Sequence, residues 1–255
     1  MSLTIDLNAD LGEGVTDDDA LLAVVTSANV ACGFHAGDAA IMRRVCEGAV
    51  ERGVAIGAQV SYRDREGFGR RAIDVEHDEL AAHIAEQITV LAAHARAAGG
   101  TVAYLKPHGA LYNRIVRDTD QADAVVSGLL LASREPIPIL GLPGSAVHAA
   151  AEDVGLPTVT EAFADRAYAA DGTLVPRGEA GAVLTDPDVV VARSIAIATG
   201  SDIADIVGAP LRVAARSLCV HGDTPGAAAL AARVRRGLEA AGVEVRTFVG
   251  ALEGI

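Results

Sequence analysis

The chain has 255 residues, 34 acidic against 21 basic side chains and a formal charge of −13, with 51% hydrophobic residues against 22% charged. That balance excludes intrinsic disorder, and the acidity excludes a nucleic-acid surface, which needs a basic footprint. Surface scaling has a chain of this length burying roughly 70% of its extended surface, ample for one large core. No apolar stretch free of charge, proline and glycine reaches the ~18 residues of a membrane span. The opening Met1-Ser2-Leu3-Thr4-Ile5-Asp6 lacks the basic-then-apolar pattern of a signal peptide. Cys32, Cys46 and Cys219 are scattered, with no CxxC spacing, and read as reduced thiols in a cytoplasmic protein.

In chain order, the first strand is expected at 4–9 and the second at 28–32, followed by a helix over 38–52 with Asp38 as N-cap and Gly53 past its end. A strand at 54–60 precedes a helix over 77–98 that stops at Gly99-Gly100. The strand at 102–106 leads to a helix over 120–133, the strand at 137–142 to one over 145–154, and another strand follows at 158–164. Residues 166–185 and 201–216 break the rhythm with turn signals such as Asp171-Gly172 and read as a loop and a hairpin. Between them a helix over 186–199 starts at Asp186-Pro187. A strand at 217–221, a helix over 224–241 starting at Thr224-Pro225, and a closing strand within 243–248 complete the order. The alternation predicts βαβ units and a mostly parallel sheet in one domain spanning 1–255, with an insertion around 166–216.

Seven strands fit either an open doubly wound sheet or a (β/α) barrel. The polar side chains favour the barrel, because side chains two apart share a strand face. Asp6, Asn8 and Asp10 fall on one face of the first strand, and Tyr104, Lys106 and His108 on one face of the fourth. Gln59 and Ser61 end the third strand, Glu161 and Asp165 the sixth, His221 and Asp223 the seventh. A barrel builds its active site at that end. Of seven histidines, His77, His83, His94 and His148 fall in expected helices, whereas His35, His108 and His221 each follow a strand beside glycine. Asp38 and Asp223 behind them also suit helix N-caps. Lys106 is the single lysine, so a Walker A loop, which needs Gly-Lys-Ser/Thr, is excluded. Gly67-Phe-Gly-Arg-Arg71 suits either an anion site, with Arg70 and Arg71 as paired donors, or a surface loop.

These segments together resemble the LamB/YcsF family. The matching stretches run in order from Asp6-Leu-Asn-Ala-Asp-Leu-Gly-Glu-Gly14 and Asn29-Val-Ala-Cys-Gly-Phe-His-Ala-Gly-Asp38 through Gly67-Phe-Gly-Arg-Arg71 and Lys106-Pro-His-Gly-Ala-Leu-Tyr-Asn113. They continue with Phe163-Ala-Asp-Arg-Ala-Tyr168, Leu174-Val-Pro-Arg177 and Cys219-Val-His-Gly-Asp-Thr-Pro225. The resemblance implies an α/β fold, a deformed seven-stranded (β/α) barrel related to glycoside hydrolase and deacetylase barrels. It also implies the ring opening of 5-oxo-L-proline to L-glutamate driven by ATP, with Mg²⁺ as its counter-ion, by an A-type subunit working with subunits B and C. One departure stands out: where the family usually reads Gly-Ala-His-Pro-Ser, this chain reads Gly57-Ala58-Gln59-Val60-Ser61. The related deacetylases use an Asp/His/His metal site. Gln59 would replace a strong nitrogen donor by a poor oxygen donor, so no metal ligand is assigned.

An unstrained lactam is a poor electrophile, and phosphorylating its oxygen would leave a carbon that water attacks more readily. Such a site needs a base for water, donors for phosphate and a dock for the substrate carboxylate. The expected base is His108 or Asp10. Lys106, Arg70 and Arg71 would neutralise phosphate charge, Glu161 and Asp165 orient the ring nitrogen or water, and His35 and His221 complete a polar ring. Asn8, Gln59, Asn113, Arg166 and Asp223 are the remaining expected binding residues. On this reading Lys106→Ala removes turnover and leaves the fold intact. Two other readings stay open: a metal-dependent amidohydrolase or deacetylase needing no ATP, and a non-catalytic subunit that binds oxoproline for its partners.

Overall fold

The computed structural model describes residues 3–15, 17–223 and 226–250. The chain runs β1 (Leu3–Leu11), α1 (Asp18–Leu22), β2 (Ser27–Ala31), α2 (Ala39–Arg52), β3 (Ala55–Val60), α3 (His77–Ala97), β4 (Val102–Pro107), α4 (Gly109–Arg114) and α5 (Thr119–Ala132). It continues β5 (Ile139–Gly141), α6 (Ala146–Asp153), β6 (Thr158–Phe163), α7 (Pro187–Ala198), β7 (Ile203–Ala204), β8 (Pro210–Leu211), β9 (Ser217–Val220), α8 (Ala227–Ala240) and β10 (Val243–Val245).

Seven parallel strands pair in the order β1-β2-β3-β4-β5-β6-β9, and β9 pairs back onto β1 to close a barrel. The α/β barrel expectation holds, and the open-sheet alternative does not. The strand expected at 243–248 is the shorter β10, and it lies outside the ring. It takes Leu3, Thr4 and Ile5 of β1, while β9 takes Asp6 through Ala9. The long first strand therefore serves two neighbours, and closure belongs to β9.

Local chemistry accounts for the ends of the elements. Asp38 caps α2 by accepting from the Ile41 N–H at 2.9 Å, and Gly53 leaves it with φ 67°. Asp186 caps α7 ahead of Pro187, where proline's missing N–H costs nothing. The expected start of α8 at Thr224-Pro225 lies outside the described residues. Two helices were not legible: α1 and α4 have five and six residues, too short to display a period.

The strand alternation sorts apolar from polar. Ile5, Leu7, Ala9 and Leu11 are all buried in the core that packs strands against helices, and each large side chain there contributes roughly 1.5–3 kcal/mol. Asp6, Asn8 and Asp10 point into the barrel instead and are equally buried. The space inside is tight. A Cβ on Gly57 would stand 2.2 Å from the Tyr104 ring, so only glycine lets Tyr104 cross and donate its hydroxyl to Asn29 Oδ1 at 2.7 Å. Residues 166–185 form a loop pinned by the bridges Arg166–Val183 and Tyr168–Leu174, and β7 and β8 form the hairpin expected within 201–216.

Candidate active site

The barrel interior carries a column of polar groups from floor to mouth. At the floor, Asp6 accepts from Thr26, Ser27 and Ser217, and burial raises its carboxyl to about 6 despite these donors. Above it, Asn8 Nδ2 donates to Glu161 Oε1 at 3.1 Å and to Ser217 Oγ at 2.7 Å. Lys106 fills the centre. Its Nζ donates to Glu161 Oε1 at 2.7 Å, Asn8 Oδ1 at 3.0 Å and Cys219 Sγ at 3.1 Å, with Asp10 Oδ1 at 3.6 Å. Burial works against the ammonium, yet Cys219, Glu161 and Asp10 together hold its pKa well above the ordinary lysine value. Burial likewise opposes ionisation of Asp10, but the Lys106 ammonium outweighs it and keeps this carboxyl far below the usual range. Glu161 differs: burial wins over Lys106 and raises it.

Near the mouth, Gln59 ties three other residues together. Its Nε2 donates to Glu13 Oε1 at 3.0 Å and to His108 Nδ1 at 2.9 Å, and its Oε1 lies 3.2 Å from His35 Nε2. The His35 and His108 rings stack 4.1 Å apart. Because Nδ1 of His108 accepts, Nε2 carries the proton and donates to the Phe68 carbonyl at 3.2 Å. That carbonyl is aimed by an uncommon backbone, Phe68 having φ 56°. Both nitrogens of His108 are thus engaged, and burial followed by the His35 ring holds its pKa well below the ordinary value.

Across the mouth, His221 Nδ1 lies 2.8 Å from Asp165 Oδ1. A carboxylate only accepts, so Nδ1 carries the proton and Nε2 the lone pair. Burial opposes ionisation of Asp165, and His221 overrides it to hold the carboxyl low. The His221 ring stacks on Phe163 at 5.1 Å between centroids.

A cavity of about 510 Å³ opens here, lined by Asp10, Lys106, His108, Tyr112, Asn113, Phe163 and His221 together with Arg70, Arg114, Arg166 and Arg177. Arg70 donates to Asp223, and Arg177 Nη1 lies 3.6 Å from the same carboxylate oxygen. Arg166 reaches the Ala182 and Val175 carbonyls, and burial, then repulsion from Arg177, lowers its pKa to about 10. Asn113 Nδ2 donates to the Gly109 carbonyl at 2.9 Å.

The expected residues thus fall into three groups. Asp10, Lys106, His108, His221, Arg70, Asn113 and Arg166 line the cavity, with Asp165 and Asp223 directly behind it. Asn8, Glu161, His35 and Gln59 are buried within the barrel and bonded to those that line it. Arg71 departs from expectation. Its exposed side chain pairs with Asp64 at 3.2 Å and with Glu66 at 3.5 Å and does not line the cavity. Glu13 and Arg177 were missed as site residues. Both lie within stretches that carry the family resemblance, the first two residues beyond β1 and the second in a loop with no periodicity.

The sequence profile of the LamB/YcsF family matches residues 5–253. A protein from Streptomyces griseus, named as the A subunit of 5-oxoprolinase, is 66% identical over 249 residues, covering 96% of this chain and 99% of that protein. A Mycobacterium marinum protein of the same name is 52% identical over 96% of this chain and 98% of its own length. The crystal structure of a lactam utilization protein from Thermus thermophilus superposes with a TM-score of 0.90 at 37% identity, over 96% of this chain and all of that one. No helix among the described residues is long and apolar enough to cross a membrane. Agreement of this kind along the whole barrel, site-bearing stretches included, means that the chain belongs to the LamB/YcsF family.

Proposed function

We propose that this chain is the A-type component of a 5-oxoprolinase, which opens the ring of 5-oxo-L-proline to L-glutamate in a cytoplasmic complex with B and C subunits, driven by ATP hydrolysis. The names of the relatives support the role. The observation that carries the chemistry is a small cavity that brings Arg70, Arg166 and Arg177 together with His221, which Asp165 holds by its Nδ1.

The substrate is a five-membered lactam bearing one carboxylate. Arg70 and Arg177 offer guanidinium forks for that carboxylate, in exchange for the Asp223 carboxylate they now hold. Arg166 adds positive charge beside them. With the carboxylate there, the ring faces His221 and Asp10. His221 is the better base for the attacking water, because Nε2 has a lone pair while Asp165 anchors Nδ1 and stabilises the imidazolium that forms. His108 has no free nitrogen for that work, and Asp10 is held so strongly ionised that it is a weak base. Lys106 keeps Asp10 and Glu161 fixed beneath the substrate, and its charge is matched there by the two carboxylates. ATP supplies the activation of the lactam oxygen. The cavity arginines suit an anionic group, while the single lysine, Lys106, is already paired with Asp10 and Glu161, which favours a nucleotide site shared with a partner protein.

A glutamate-release assay on 5-oxo-L-proline, run with and without ATP and with and without the partner subunits, tests this reading. Product only when ATP and partners are both present supports it. Product from the isolated chain without ATP would replace it by a simple amidohydrolase.

A further inference from the structure

We infer that Phe68 is the positioning residue of the carboxylate dock: its ring carries the Arg70 guanidinium, and its carbonyl is pinned by a buried Gln59–His108 relay. The inference rests on the reading that Arg70 binds the substrate carboxylate, and it deepens that reading by giving work to buried groups the chemistry leaves unused.

The relay starts from one amide. Gln59 is buried, and its Nε2 donates to Glu13 Oε1 at 3.0 Å and to His108 Nδ1 at 2.9 Å, while its Oε1 faces His35 Nε2 at 3.2 Å. An amide oxygen only accepts, so His35 carries its proton on Nε2, and its Nδ1 has no hydrogen-bond partner. One neutral side chain thus sets the tautomers of both rings. The rings lie face to face, 4.1 Å apart and 14° from parallel. Stacked in that way they do not aim their lone pairs at one point, so the cluster does not fit a metal ion. It fits a hydrogen-bond relay whose outward end is His108 Nε2.

That end is spent on Phe68. His108 Nε2 donates to the Phe68 carbonyl at 3.2 Å, and Phe68, with φ 56°, is the one non-glycine residue of positive φ among those described. A residue with a Cβ keeps such a backbone only where its surroundings over-determine it. Here they do. The Phe68–Gly69 peptide is held at both ends, its carbonyl by His108 and its N–H by the Asp64 carbonyl at 2.8 Å. The Phe68 ring stands edge-on to His35 at 5.9 Å and to His108 at 5.8 Å. Gly69 lies so close to the histidines that a Cβ on it would stand 2.9 Å from that of His35.

What this turn carries is Arg70. The guanidinium carbon lies 5.0 Å from the centre of the Phe68 ring, within cation–π range, and the side chain goes on to line the cavity and to pair with Asp223. Its side chain is 39% exposed, and a long, partly exposed side chain keeps one orientation only when contacts offset the lost rotamer freedom. The Phe68 ring supplies such a contact. Arg71, one residue on, pairs instead with Asp64 and Glu66. The chain of contacts Gln59, His108, Phe68, Arg70 therefore joins the buried barrel interior to the dock.

The test joins ¹⁵N spectra of the histidine rings to kinetics of the enzyme assembled with its partner subunits. In the wild-type chain His108 should show a bare Nδ1 and a protonated Nε2, and Gln59→Met, which keeps the length but removes both hydrogen-bonding ends, should abolish that preference. Phe68→Leu should raise KM for 5-oxo-L-proline roughly threefold to tenfold, with kcat within about twofold, as befits a lost cation–π platform. Phe68→Tyr keeps the ring face and should restore the wild-type KM. In an Arg70→Ala background Phe68→Leu should have no further effect, because a residue that acts through Arg70 has nothing left to act on. A wild-type His108 protonated at Nδ1 overturns the inference, as does a Phe68→Leu penalty that falls on kcat or adds undiminished to that of Arg70→Ala. If Gln59→Met does not fold, the wild-type spectrum and the Phe68 series decide without it. If the wild-type complex releases no glutamate, the oxoprolinase reading fails, and crystal structures of wild type and Phe68→Leu decide the inference: Arg70 displaced from Asp223 in the variant upholds it, and Arg70 unmoved overturns it.

Discussion

Asp165 and His221, 56 positions apart in sequence, meet at 2.8 Å at the barrel mouth, just past the ends of the neighbouring strands β6 and β9. The pairing leaves His221 with one nitrogen committed and one available. Asp165→Asn keeps the shape of this contact but lets the wrong tautomer of His221 form. In the assembled enzyme it should lower kcat about 10²–10⁴-fold, the usual worth of a positioned general base, with little change in KM. Steady-state kinetics and an unchanged melting temperature check this together.

The arginines divide by position. Arg177→Ala removes one guanidinium from the proposed carboxylate dock and should raise KM for 5-oxo-L-proline about 10-fold or more, since a hydrogen bond to a charged group contributes roughly 1.5–3 kcal/mol. Arg71→Ala should leave KM unchanged, because Arg71 is exposed and pairs with Asp64 and Glu66. Equal effects from the two variants would contradict the placement of the dock.

Lys106 is as much structural as functional. Its Nζ has a carboxylate at 2.7 Å and another at 3.6 Å, all buried. Removing one member of a buried pair leaves the others uncompensated, at about 3–5 kcal/mol. Lys106→Ala should therefore lose turnover and stability together, and not turnover alone as the sequence suggests. Denaturant unfolding measures the second loss.

Asp6 gives a pH signature. Its carboxyl is raised from 3.8 to about 6 by burial, so the folded state holds this proton more tightly than the unfolded state does. Its contribution to stability is full below the unfolded value and fades as pH rises through about 6, a loss of roughly 3 kcal/mol at most. Asp6→Asn should abolish that fade. The difference in unfolding free energy between wild type and variant, measured at pH 4 and pH 7, isolates it from Asp10 and Asp165, whose lowered values act with the opposite sign.

Gly57 is replaceable only at a cost. Alanine there would meet the Tyr104 ring at 2.2 Å, and overpacking of this kind costs about 1–3 kcal/mol. A lowered melting temperature for Gly57→Ala, restored by Tyr104→Leu in the same chain, would confirm the clash.

The barrel was legible because two kinds of alternation coincide. Leu7 and Ala9 face helices while Asn8 and Asp10 face the interior, and the same offset recurs at Lys106 and Glu161. The polar mouth followed from histidines placed just after strands. What stayed hidden depends on loops. Glu13 lies beyond β1, where the strand period stops, and nothing local says that its carboxylate turns inward to Gln59. Arg177 reaches the cavity only because the 166–185 loop folds back on itself. Arg70 and Arg71 are indistinguishable as sequence, and the left-handed turn at Phe68 and Gly69 decides which one faces the cavity. The division of labour among histidines was also out of reach, because it rests on hydrogen bonds at their second nitrogens.

The most direct measurement is the rate of ATP-dependent glutamate release from 5-oxo-L-proline by the enzyme assembled from this chain and its B and C partners, with wild-type His221 and with His221→Ala. The account predicts turnover by the former and a loss of at least a hundredfold in the latter, with assembly intact. Undiminished release by His221→Ala would mean that the lactam ring is opened somewhere other than the mouth of this barrel.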